Sequence, residues 1–111
     1  MIRLIKRKLI IPQGDTGTFT IPTQGTVEEG DKAIFSVYDP LTQETVLQKE
    51  IDATNETLSF TFTPDDTKDI EPRGDYVWDI TLIRSDSVDS YYAAFKLPPC
   101  EIRRVTRAIY E

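Results

Sequence analysis

Apolar and polar residues alternate along most of this chain, in short runs separated by turn residues. The clearest run spans residues 76–84, YVWDITLIR, where every second position from Tyr76 to Leu82 is large and apolar. The chain's only tryptophan, Trp78, lies among them, whereas Asp79 and Thr81 occupy the opposite face. A period of two is typical of a β-strand with one buried face, so we predict that Trp78 lies in the core of a sheet protein.

Similar runs recur from end to end and predict seven or eight strands. LSFTF, for example, places Leu58, Phe60 and Phe62 on one face, whereas TVLQKEI has a mixed pattern that favours an edge strand. The loops are predicted at residues 22–31 and 85–89. The predicted strands cover residues 2–11, 16–21, 32–38, 45–51, 58–62, 76–84, 91–97 and 101–110.

One short helical turn is predicted near residues 64–70. Thr63 is a suitable N-cap, Pro64 fits the first helical position, and the two aspartates that follow favour the positive end of a helix. Pro72 and Gly74 should end the turn. With no longer helix, the pattern predicts an all-β sandwich of antiparallel strands, formed by residues 1–111 as a single domain.

The composition excludes much catalytic chemistry. The chain has no histidine and one cysteine, Cys100, so Ser-His-Asp and Cys-His nucleophilic sites and Cys/His zinc sites cannot form within it. No carboxylate pair is fixed by spacing, and we predict a protein without enzymatic activity or a cofactor.

The five acidic residues between positions 65 and 75 do not match a calcium-loop spacing and are better explained as caps and turns. The Arg-Gly-Asp tripeptide at 73–75 is likewise predicted to form a turn rather than an adhesion site.

Charge is unevenly distributed along the chain, whose net charge is −6. Residues 1–8 carry +4 and residues 103–111 carry +2, whereas residues 9–102 carry −12. An acidic body does not favour nucleic-acid binding, but two basic ends lying together would form a patch for an acidic protein surface. The alternative is that Lys and Arg only protect edge strands from aggregation. The candidate interface residues are Arg3, Lys6, Arg7, Lys8, Arg103, Arg104 and Arg107.

Two further features bear on location and ligands. No run of about 18 apolar residues predicts a membrane span, and the short apolar segment before Pro12 does not resemble a signal peptide, so synthesis in the cytoplasm is expected. Tyr91, Tyr92 and Tyr110 could form an aromatic face for a carbohydrate or another ligand, although packing explains them as well.

Three segments resemble phage tail and baseplate modules, and the likeness is greatest to the amino-terminal domain of siphophage baseplate upper proteins. The segments are GDTGTFTI, DKAIFSVYDP and FTPDDTKDIEPRGDYVWDITLI. The short motifs within them are Gly14-Asp15-Thr16, Asp66-Thr67 and Gly74-Asp75-Tyr76. The chain departs from that pattern in having no long helical or receptor-binding extension after these segments.

This resemblance implies an immunoglobulin-like sandwich that works through protein contacts and has no catalytic residues to transfer. The expected partners are other virion or tail proteins, or further copies of this chain in a homo-oligomer. The protein would then pass from the cytoplasm into a virion. Neither nucleic acid nor a membrane is expected as a partner.

Overall fold

The alternating runs form the strands of a mostly β protein. A computed structural model describes residues 2–92 and 96–104. The strands in these residues are β1 (Arg3–Ile5), β2 (Lys8–Pro12), β3 (Gly17–Pro22), β4 (Lys32–Asp39), β5 (Glu44–Asp52), β6 (Thr57–Phe62), β7 (Arg73–Ile83), β8 (Val88–Ser90) and β9 (Pro99–Arg103). The described residues contain one helix, α1 (Pro64–Thr67).

The strands form two sheets of unequal size. The larger sheet has the order β1-β2-β9-β7-β4-β5, with β8 paired to β7, and the smaller sheet consists of β3 and β6. The prediction of a wholly antiparallel arrangement is wrong at one pair, because β2 and β9 run parallel. β9 enters antiparallel to β7 and places β2 on its other side, where β2 runs in the same direction as β9.

The inner faces of the two sheets enclose one hydrophobic cluster. As predicted, Trp78 lies at its centre, where its ring packs edge-on against Phe19 of β3 at a centroid distance of 5.4 Å. Phe35 of β4 contacts both Phe60 and Phe62 of β6 across the same interface. Aromatic side chains therefore join the two sheets.

The predicted first strand, residues 2–11, is instead a tight hairpin. Ile5 pairs with Lys8, which leaves Lys6 and Arg7 as a two-residue turn between β1 and β2. Lys6 adopts a φ of 58°, a left-handed conformation that Gly or Asn adopts more readily. The turn was missed because neither residue is typical of such a turn.

The predictions for the late strands are partly wrong. A strand was predicted over residues 91–97, but Tyr91 and Tyr92 form a turn, residues 96–98 are not in a strand, and residues 93–95 lie outside the described part. The predicted loop at 85–89 instead leads into β8, which pairs with β7 and is joined to it by the Ser90–Asp79 hydrogen bond. β9 begins at Pro99, a position where a strand tolerates proline. The remainder of the predicted strand 101–110 lies outside the described residues from position 105 onwards.

The predictions for the helical turn and the edge strand are confirmed. Thr63 precedes α1, and its backbone N–H donates to the Asp66 carboxylate at 2.7 Å. Lys49 of β5 reaches the same carboxylate at 2.8 Å, so α1 is tied to the sheet edge. β5 itself has β4 as its neighbour in the sheet and lies at the end of the strand order opposite β1.

Candidate functional site

The parallel pairing of β2 with β9 brings the two basic ends of the chain together. Leu9 pairs with Cys100 and Pro12 pairs with Arg103, so the amino-terminal hairpin lies beside the last described strand. We call the described candidates at this place the basic edge, whereas Arg107 lies outside the described residues. The basic edge consists of Arg3, Lys6, Arg7, Lys8, Arg103 and Arg104, of which Lys8 alone is half-buried and the others are exposed.

Two cations of the basic edge share one carboxylate within the molecule. Lys8 Nζ lies 3.0 Å from Glu101 Oε1, and Arg103 Nε lies 2.8 Å from Glu101 Oε2. Hydrogen bonds from Arg103 and Lys8 lower the pKa of Glu101 to about 2, so this carboxylate is charged at neutral pH. Lys8 therefore links β2 to β9 through Glu101, and Glu101 offsets part of the positive charge of Lys8 and Arg103.

Arg7 contacts other parts of the fold through both its guanidinium and its backbone carbonyl. Its guanidinium lies over the Tyr92 ring, 5.0 Å from the centroid, and donates a hydrogen bond to the Lys96 carbonyl at 3.0 Å. Its own carbonyl accepts the indole N–H of Trp78 at 3.0 Å. These contacts hold the tip of the hairpin against the core.

The remaining cations of the basic edge, Arg3, Lys6 and Arg104, have no ion pair within residues 2–92 and 96–104. Arg3 and Lys6 flank two apolar side chains that β1 presents to solvent, because Leu4 is 40% exposed and Ile5 is 49% exposed. Unpaired cations next to exposed aliphatic groups on an edge strand form a surface suited to protein contacts.

A shallow apolar cavity of about 460 Å³ lies on the outer face of the large sheet, next to the hairpin tip. Arg7 and Lys96 lie at its polar side, and Val77 and the segment Leu97-Pro98-Pro99 form much of its apolar wall. The place of these prolines in a cavity wall depends on the β7–β9 pairing, which the local pattern does not reveal.

Two of the three candidate tyrosines line a small cleft and also pack against the core. Tyr91 and Tyr92 line a cleft of about 350 Å³ with Arg7 and Gln24, whereas Tyr110 lies outside the described residues. The Tyr92 ring contacts Trp78 with a centroid distance of 5.2 Å, and the Tyr91 hydroxyl accepts a hydrogen bond from the Gln24 backbone at 3.1 Å. Both rings thus pack against the core cluster, and Tyr92 is covered by Arg7 as well.

The Arg-Gly-Asp tripeptide lies at the start of β7 and is not displayed as a free loop. Arg73 forms ion pairs with the buried Asp39 and with Asp75 of the same tripeptide. Burial raises the pKa of Asp39, but hydrogen bonds from Arg73, the Leu41 backbone and Thr42 together outweigh it, so the pKa lies below its usual value. Arg73 also covers the Tyr76 ring at 4.5 Å. Both charged groups of the tripeptide therefore serve the fold.

Among the described residues, no group of three or more acidic or cysteine side chains is arranged to hold a metal ion. Cys100 is fully buried, and burial raises its pKa to about 12, so its thiol is protonated at neutral pH. Within the same part of the chain, no helix is long and apolar enough to span a bilayer.

The functional evidence thus concentrates on the basic edge and the surfaces next to it. Comparisons with models of known protein families, with curated proteins and with solved structures gave no match.

Proposed function

We propose that this protein is a non-catalytic interaction domain of a phage or prophage particle, located in the tail or baseplate, with an immunoglobulin-like sandwich fold. The observation that carries the proposal is the basic edge, where both basic segments of an otherwise acidic chain meet beside exposed Leu4 and Ile5. A charged edge of this kind attracts an acidic protein surface and orients it. The partners are other virion or tail proteins, or further copies of this chain.

The motifs that resemble baseplate upper proteins lend support, because two of them are in contact. The backbone N–H of Gly14 donates to the hydroxyl of the buried Thr67 at 2.8 Å. Gln13 adds hydrogen bonds from its side chain to the carbonyls of Lys68 and Ile70. The motif residues thus hold the β2–β3 turn against α1, as expected if the resemblance reflects a shared framework.

The test is copurification from cells that carry the gene in its native surroundings. Tagged wild-type protein is purified alongside a variant in which Arg3, Lys6 and Arg104 are changed to Glu, and retained proteins are identified by mass spectrometry. We expect tail or baseplate proteins with the wild type and at least a tenfold loss with the variant. A matched variant, Lys68→Glu, reverses an exposed charge near α1 and should retain the partners. Retention only of metabolic enzymes, or equal retention by both variants, would contradict the proposal.

A second candidate function is carbohydrate binding in the cleft that Tyr91 lines. The cleft combines an aromatic ring with the polar groups of Arg7 and Gln24, a composition found in sugar sites. Tyr91→Ala would then abolish glycan binding in a variant that still folds, as circular dichroism would show. A glycan array with no wild-type signal would eliminate this candidate.

A further inference from the structure

The large sheet ends in two strands of opposite charge. β1 and the turn after it, residues 3–7, hold three basic residues and no acidic residue, whereas β5, residues 44–52, holds three acidic residues and one lysine. That lysine, Lys49, is bound to Asp66, and Asp52 is bound to Lys32. Glu44 and Glu50 therefore remain as the acidic groups of β5 without an ion pair among the described residues.

Both strands also present backbone groups that the sheet does not use. In the β1–β2 hairpin, Ile5 and Lys8 flank the two-residue turn and form a hydrogen-bonded pair. Because such pairs alternate with non-bonded ones, the N–H and C=O of Leu4 point away from β2, toward the free edge. β5 has no second neighbour among the strands in residues 2–92 and 96–104. Free edges of this kind accept a further strand.

The side-chain faces of the two edges match. Leu4 pairs with Leu9, so it lies on the inner face of the sheet, and Arg3 lies on the outer face. In β5, Ile51 pairs with the buried Ala33 on the inner face. Glu50 pairs with Ile34 on the outer face. A β1 strand placed beside a β5 strand therefore can set Leu4 beside Ile51 on the inner face and Arg3 beside Glu50 on the outer face, where Ile5 also lies.

We infer that the partner of the basic edge is a second copy of this chain, whose β5 edge accepts β1 as an added strand. This inference rests on the proposed function, a domain acting through protein contacts, and names the partner for that surface. The contact is heterologous, since β1 of one molecule meets β5 of the next and leaves a free β5 and a free β1 at the two ends. Such a contact continues until it closes into a ring, or it continues as an open filament.

The contact should be weak and sensitive to salt. β1 contributes only three residues, so the buried area falls in the range of small, transient interfaces. The charged groups lie on the outer face near solvent, where added salt screens their attraction. Self-association is therefore expected near millimolar protein at low ionic strength and should decline as salt is added.

The experiment is sedimentation velocity of the purified full-length chain up to about 1 mM protein, at about 20 mM and about 500 mM salt. Arg3→Glu places a carboxylate opposite the acidic group of Glu50, and Glu50→Lys places an ammonium group opposite the guanidinium of Arg3. We expect each variant alone to weaken association at least tenfold relative to the wild type. An equimolar mixture of the two should associate again, because the unchanged β1 of the Glu50→Lys variant meets the unchanged β5 of the Arg3→Glu variant. Glu29→Lys, at an exposed loop position, is the matched control and should associate like the wild type.

Three outcomes would overturn the inference. One is a wild type that stays monomeric at about 1 mM in low salt. Another is association that Arg3→Glu abolishes while Glu50→Lys leaves it unchanged, which would indicate a symmetric β1–β1 contact. The third is a mixture of the two variants that remains monomeric. None of these results changes the copurification of other virion proteins, so failure of this inference is distinct from failure of the proposed function.

Discussion

At the scale of single residues, Trp78 contacts four separate parts of the molecule. Its ring packs against Phe19 of the small sheet and Phe35 of the large sheet, at centroid distances of 5.4 and 6.0 Å. Tyr92 from the turn after β8 lies 5.2 Å away, and the indole N–H donates to the Arg7 carbonyl. One side chain thus joins both sheets and the amino-terminal hairpin.

Trp78→Ala should therefore lower the free energy of unfolding by about 3–5 kcal/mol, as other large truncations in protein cores do. Trp78→Phe is the matched control, because it keeps an aromatic ring and loses only the indole donor and part of the volume. We expect it to cost roughly half as much or less. Urea denaturation followed by circular dichroism measures both, and a near-neutral Trp78→Ala would contradict the central position of this residue.

Glu101 is the residue whose ionisation should affect stability most visibly. Hydrogen bonds from Arg103 and Lys8 lower its pKa to about 2 from an ordinary value of 4.5. A carboxylate whose pKa is lowered by folding stabilises the folded state fully at pH values above its ordinary pKa. This contribution is lost as the pH falls toward the pKa of the folded state. The stabilising pH range of this residue thus extends upward from about 4.5.

Glu101→Gln should lower the free energy of unfolding by about 1 kcal/mol at pH 7, since the ion pairs lie near the surface. The difference from the wild type should shrink as the pH falls from 4.5 toward 2. Denaturation curves for both proteins at several pH values test this expectation. A difference that stays constant down to pH 3 would show that charge is not its cause.

At the scale of elements, α1 is held by groups at its start and by the edge of the large sheet. Asp66 accepts hydrogen bonds from the Thr63 backbone and from Lys49 of β5. Burial raises the pKa of Asp66, but the bonds from Lys49 and Thr63 outweigh it and lower the pKa below the usual value. The carboxylate thus joins the cap of the helix to β5.

Asp66→Ala should lower the free energy of unfolding by about 1–2 kcal/mol, because it removes the cap and the ion pair together. Asp65→Ala in the same turn is the control, since the Asp65 side chain is 83% exposed and pairs with the exposed Lys68. We expect the control to cost less than about 0.5 kcal/mol. Equal losses from the two variants in thermal denaturation would contradict a special role for Asp66.

Local sequence patterns correctly predicted the strands and the helix that carry a clear signal of their own. β3 to β7 and α1 have clear alternation or cap residues, and all were predicted close to their observed positions. The β1–β2 turn at Lys6 and Arg7 lacks Gly, Asn or Asp, so periodicity alone favoured one continuous strand. The turn at Tyr91 and Tyr92 is made of residues that usually favour strands, and contact with Trp78 overrides that preference.

At the scale of the whole molecule, the sequence indicated that two basic ends surround an acidic body, but not which cations remain unpaired. That depends on the parallel register, which places Glu101 of β9 opposite Ile10 and within reach of Lys8. Strand order is a non-local property and has no signature in hydrophobic periodicity. The sheet topology therefore decides that Lys8 and Arg103 pair with Glu101, whereas Arg3 and Lys6 have no ion pair among the described residues.

The pairing of Leu9 with Cys100 also bears on how the chain folds during synthesis. The inner face of β2 stays without its neighbour until β9, far downstream in the sequence, has left the ribosome. Until then the buried side chains of Leu9 and Ile11 lack the cover of Ile102 and Cys100. Closing a loop of nearly the full chain length slows folding, since its entropic cost precedes any contact energy. The nascent protein consequently passes through a stage in which a hydrophobic strand is open to wrong partners, and the cations of the adjacent hairpin help to keep it soluble until the sheet is complete.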